Sequence, residues 1–192
     1  LISGRQTPRS AAGKTVNTPN SRGFQAPENA PGRGNMSFMN KIKHLDLEGH
    51  VYFITTCTFE RERLFISDDF ARTVIDTIIF GKSENWYYLL GYVVMPDHLH
   101  LLIAPKNRKV PAIMMSIKGY TSRKINALSM RSGKIWQDGY IDFPMNKRDA
   151  VIEKINYIEQ NPIRAGLVSD FDDYPYSSAL NHDILDWEYL GY

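Results

Sequence analysis

The stretch Tyr92-Val-Val-Met-Pro-Asp-His98-Leu-His100-Leu-Leu-Ile103 decides how the rest of the chain is read. Two apolar runs meet at Pro96-Asp97, which is turn chemistry, so a tight β-hairpin is expected. Side chains alternate faces along a strand. His98, His100 and Leu102 therefore share one face, and Leu99, Leu101 and Ile103 take the other. Two imidazoles so placed can close on one metal ion, but buried histidines of this kind also serve as hydrogen-bonded core residues. A third ligand elsewhere in the chain becomes the deciding question.

Working outward, His50-Val-Tyr-Phe-Ile-Thr-Thr-Cys-Thr58 is dense in β-branched and aromatic residues and predicts a strand. Ser67 and the acids after it mark a helix start. Phe70, Val74, Ile75, Ile78 and Ile79 continue at helical spacing to about Phe80, with Gly81 as the stop. Pro111 suits the first turn of a second helix that carries Ile113, Ile117, Thr121 and Leu128. Tyr140 to Phe143 reads as a short strand or an extended lead-in. A third helix is expected from Lys147 or Arg148 to Gln160, stopped by Pro162. This order favours an α+β fold, an antiparallel sheet with helices packed on one face.

The first forty residues are rich in Gly, Pro, Ser, Asn and Arg. They cannot bury enough apolar surface to offset their ordering entropy, so 1–40 is expected to be a disordered or non-native extension. The domain is expected over 41–180, with a tail over 181–192. No run approaches the length of a membrane helix, and the single cysteine, Cys57, points to a reducing cytoplasm.

The net charge of +2 conceals segregation. Residues 106–148 hold ten Lys/Arg against two Asp/Glu, whereas 149–192 hold two against nine. The basic block, with Lys118, Arg123, Lys124, Arg131, Lys147 and Arg148, is a candidate polyanion footprint. Its competing reading is a solvated face balanced by the acidic C-terminus.

On the third helix Tyr157 and Asn161 are four residues apart and so share a face. The Asn161 carboxamide can complete a metal site with the two histidines, and Mg²⁺ or Mn²⁺ suits such ligands and phosphate chemistry. Tyr157 as a packing residue and Asn161 as a helix cap are the plainer readings.

Pro96-Asp97-His98-Leu99-His100, Ile135-Trp136-Gln137, Tyr157-Ile-Glu-Gln-Asn161-Pro162-Ile-Arg164-Ala165-Gly166 and Tyr174-Pro175-Tyr176-Ser177-Ser178-Ala179 together resemble the single-tyrosine transposases of the HUH class. The likeness is in particular to the REP-associated tyrosine transposases. It implies a ferredoxin-like sheet bearing His98 and His100 as metal ligands, Asn161 as third ligand and Tyr157 as nucleophile. The activity implied is cleavage and rejoining of single-stranded DNA near hairpins through a 5′-phosphotyrosine, with the basic residues above tracking the DNA. The alternative is a non-catalytic hairpin-DNA binding protein of transposase descent. The branch also implies a monomer, with a dimer as the insertion-sequence alternative. One departure stands out: many relatives carry a His or basic residue near Phe143.

Overall fold

The hairpin forms as expected. In a computed structural model that describes residues 47–191, β2 (Tyr87–Met95) and β3 (His98–Pro105) pair antiparallel, with Pro96 and Asp97 as the turn. The turn is anchored from outside: Thr58 N and Oγ1 donate to the Asp97 carbonyl, at 2.9 and 3.0 Å, and Phe65 N donates to that of Pro96 at 3.0 Å. The extension expected over 1–40 lies outside the described residues.

β1 (Val51–Cys57) and β4 (Ile141–Met145) complete a four-stranded antiparallel sheet of order β2-β3-β1-β4. This is the ferredoxin-like arrangement, with β3 inserted between β1 and β2. The segment after Tyr140, read as a short strand or an extended lead-in, is an edge strand, and Pro144 is tolerated in it because an edge need not donate on both sides.

The helices do not pack on one face. α1 (Asp68–Ser83) and α2 (Val110–Leu128) place Val74, Ile78, Ile113 and Ile117 against Tyr52, Ile54, Tyr92, Leu99 and Leu101. α3 (Arg148–Arg164) places Val151, Ile155 and Ile158 against Val51, Leu90, Val93 and Leu102 on the opposite face. The expected one-sided cover is corrected for a simple reason. β2 and β3 are apolar on both sides, and every residue of β2 except Tyr88 is buried, so each face needs its own layer. α3 thereby comes to the face that bears the histidines.

Two helix ends also differ from expectation. Gly81 lies inside α1, which runs on to Ser83. A Cβ there would meet Tyr87 Oη at 2.5 Å and the Trp86 ring at 2.9 Å, so the glycine serves close approach of β2 rather than termination. Pro162 lies within the last turn of α3, buried, and does not stop it. Proline forfeits one intrahelical bond, to the Ile158 carbonyl, and its fixed φ is helical. The helix closes at Gly166, φ +66°, where Gly166 N donates to Ile163 O and Leu167 N to Pro162 O, a Schellman end.

The tail is part of the packed domain, beyond the boundary expected at 180. Leu185 is buried in the α1/α2-side core. The free edge of β2 is taken up by the C-terminal segment on both sides of that boundary: Tyr92 N donates to Ser178 Oγ, Val94 N to Tyr176 O, and Leu89 N to Asp186 Oδ2. Asp186 N returns a bond to Leu89 O, so an otherwise sticky edge is closed. Asp186→Ala strands the buried Leu89 N–H and is expected to cost about 1–3 kcal/mol. A urea midpoint equal to that of the parent protein would show that the edge bond contributes nothing. No helix among the described residues is long and apolar enough to cross a membrane.

Candidate active site

Strand alternation places His98 and His100 on the α3 face, with ring centroids 4.8 Å apart. The Nδ1–H of His98 donates to Asp97 Oδ1 at 2.6 Å, and Nδ1 of His100 lies 2.8 Å from Thr55 Oγ1. A carboxylate accepts only, so His98 is held with its lone pair on Nε2. With the Thr55 hydroxyl accepting, His100 is held the same way. Partners of this kind orient metal-binding imidazoles. Burial pushes His100 down to about 3, with His98 and nearby cations adding to the effect, and burial also lowers His98 against the pull of Asp97. Both rings are therefore neutral near pH 7, the form that binds metals.

From the opposite layer, α3 brings Tyr157 to 5.6 Å from the His100 ring, centroid to centroid. Phe53 stacks on His100 at 5.1 Å and meets Tyr157 edge-on at 5.8 Å, fixing both rings through one apolar contact. Asn161 follows one turn later, half-buried. Since Gly166 terminates the helix, Asn161 is not its C-cap. Among the described residues no three His, Cys, Asp or Glu side chains gather at ligand distance. A metal here would need a neutral oxygen beside the imidazoles, which is the chemistry of the Asn161 carboxamide.

The basic residues singled out from charge divide sharply. Lys118 donates to the carbonyls of Gln137 and Gly139. It ties α2 to the loop before β4, and burial pushes its ammonium down to about 8. Arg131 is committed to Glu62 by a bidentate pair at 2.8 and 2.9 Å. Arg123 and Lys124 are exposed on α2, with the sheet between them and Tyr157. Lys147 and Arg148 begin α3, about 15 Å along its axis from Tyr157 at 1.5 Å per residue.

Four other cations lie closer. Lys154 Nζ is 5.2 Å from the Tyr157 ring centroid and 5.3 Å from that of Phe53. Arg164 Cζ lies 5.3 Å from the Tyr157 ring. Arg61 pairs with Asp97 at 3.5 Å, and Arg63 lines a cavity with His98, Ala165 and Leu167. The signal for Lys154 and Arg164 was present in sequence. They stand at i−3 and i+7 from Tyr157, positions that return to the same helix face, but they lie in an acidic segment that a charge count passes over.

This histidine pair beneath a helix-borne tyrosine defines a class. A family model described as "Transposase IS200 like" matches residues 47–161, from just before β1 through Asn161, and the chain belongs to that family of transposases. A Haemophilus influenzae protein named as a candidate REP-associated tyrosine transposase is 26% identical over 145 residues, 68% of this chain and 80% of that protein. The solved structure of a REP-associated tyrosine transposase bound to a REP hairpin superposes with a TM-score of 0.62 at 19% identity. It covers 74% of this chain and 84% of that one. At that identity the likeness establishes the shared fold.

Proposed function

We propose that this transposase cleaves and rejoins single-stranded DNA beside hairpins, with Tyr157 as nucleophile and with His98, His100 and Asn161 as the ligands of Mg²⁺ or Mn²⁺. The observation that carries this reading is the convergence of a phenol from α3 on two neutral imidazoles whose Nδ1 atoms are already engaged. A divalent ion held there supplies Lewis-acid polarisation of a non-bridging phosphate oxygen.

Tyr157 Oη attacks phosphorus, the P–O3′ bond breaks, and the products are a 5′-phosphotyrosyl link and a free 3′-hydroxyl. The phenol proton goes to solvent, and the departing 3′-oxygen takes up a proton from solvent to become the hydroxyl. Attack by a 3′-hydroxyl on the tyrosyl phosphate reverses the step and reseals a strand, because the phosphodiester energy is retained. A protonated phenol is a weak nucleophile. Lys154 and Arg164, set around the ring, offset negative charge as it gathers on Oη and the phosphate oxygens.

Single-turnover reaction of an end-labelled hairpin oligonucleotide with a single-stranded flank tests the reading. The expected product is a protein-linked DNA band mapping to the Tyr157 peptide. Cleavage without such a band would point to water as nucleophile, and binding without cleavage to a non-catalytic hairpin binder.

The footprint is better drawn from Arg63 and Arg164 near the site, with Arg123, Lys124, Lys147 and Arg148 as outer contacts, than from Lys118 or Arg131. Arg63→Ala and Arg164→Ala should each lower the slope of log K against log salt by about 0.7–0.9, one counterion's worth. Arg131→Ala should leave it unchanged. A lower slope for Arg131→Ala alone would reverse the assignment.

A further inference from the structure

The α3 face of the sheet is only partly covered. α3 lies over β2 and β3, and its first turns cover Val51 and Met145 at one end of the β1–β4 half, while the Phe53–Phe143 and Thr55–Ile141 pairs of that half stay open. Phe53, Thr55 and Cys57 are half-buried there. Their register partners on β4 are more exposed: Phe143, paired with Phe53, is 59% accessible, and Ile141, paired with Thr55, is 51% accessible. Residues directly opposite on neighbouring strands point to the same side, so Ile141 and Phe143 share the face of Phe53 and His100. The result is an apolar shelf whose inner wall is Lys154 and Tyr157. Lys154 Nζ stands over Phe53 and Tyr157 at 5.3 and 5.2 Å, at the border between shelf and phenol.

We propose that Phe143, Ile141 and Phe53 form a stacking shelf for an unpaired nucleobase next to the phosphate attacked by Tyr157, with Lys154 contacting the adjoining phosphate. The proposal rests on the catalytic reading above and adds where the substrate strand lies. The occupant follows from the surroundings. The shelf is continuous with the ring cluster that holds Tyr157, it is apolar and aromatic, and its inner border is cationic. A single strand of DNA offers that combination, a flat apolar base on an anionic backbone, and aromatic side chains hold unpaired bases with little sequence preference. Pro144, together with the shortness of β4, discourages strand addition by a second chain along that edge.

The test compares binding of two fluorescent DNA hairpins by the full chain, one blunt and one carrying a short oligothymidine flank. Phe143→Ala is expected to weaken the flanked hairpin by about 5- to 150-fold, the range for one lost base stack. The blunt hairpin should be unaffected, and Phe143→Trp should restore the difference. A 5-iodouracil placed in the flank should photo-crosslink the unmodified protein within the β4 peptide, a readout that needs no variant to fold. Equal loss on both hairpins, loss on neither, binding of neither, or crosslinks confined to α2 would each overturn the shelf. So would a change of oligomeric mass in Phe143→Ala in place of a DNA effect. The two readings fail separately. Adduct formation at Tyr157 with no flank effect removes the shelf alone, and a selective flank effect without any adduct removes the nuclease alone.

Discussion

Tyr157→Phe is expected to eliminate the protein–DNA adduct and to lower strand cleavage by roughly 10⁴-fold or more, the scale on which removal of a covalent nucleophile acts. The substitution deletes one oxygen and leaves the ring. The edge-on contact with Phe53 at 5.8 Å, the approach to His100 at 5.6 Å and the two flanking cations all involve the ring rather than Oη. Hairpin affinity and the unfolding midpoint should therefore stay within about twofold and about 0.5 kcal/mol of the parent, as for a change that opens no cavity. Tyr120→Phe is the control, because Tyr120 is half exposed on α2 beyond the sheet. Adducts that survive in Tyr157→Phe and vanish in Tyr120→Phe would move the nucleophile to the wrong face of the fold and sink the mechanism.

The second large effect is expected at His100. His100→Ala should abolish cleavage dependent on added Mg²⁺ or Mn²⁺, a loss of about 10²–10³-fold or more, since polarisation of the phosphate oxygen is worth several kcal/mol. The change also removes a ring stacked on Phe53, so some loss of stability accompanies it. Mn²⁺ binding followed by electron paramagnetic resonance on the folded fraction separates the two effects. Thr55→Val provides the finer instrument. It keeps the imidazole, removes the 2.8 Å contact that orients Nδ1, and should weaken Mn²⁺ by about 10- to 100-fold. Full cleavage by the parent protein in EDTA, or unaltered Mn²⁺ binding by His100→Ala, would end the metal role.

Much of this site was legible in the chain because its rules are local. The two-residue period of a strand puts His98 and His100 on one side wherever the strand lies. The 3.6-residue period puts Tyr157 and Asn161 on one side of a helix by the same logic. Pro96-Asp97 announces the turn without reference to anything distant. The resemblance to REP-associated tyrosine transposases then linked the pieces, and the family match over residues 47–161 agrees with it.

Short-range patterning alone therefore supplied the central strands and the three helices, the placing of both histidines on one strand face and the placing of tyrosine with asparagine on one helix face. Which layer each element joined was settled by packing. α3 lies on the histidine face, with the C-terminal segment packed beside it, because the apolar strands β2 and β3 need cover on both sides, a property of the assembled sheet. Lys118 and Arg131 are engaged within the protein because carbonyls and Glu62 came within reach, while Lys154 and Arg164 lie beside the Tyr157 ring because α3 turned that face to the histidines. Gly81 and Pro162 stayed helical because Tyr87 needs room beside one and the core accepts the other. The free energy of a charge or a helix end depends on what lies within a few ångströms, and that is settled only when distant segments pack.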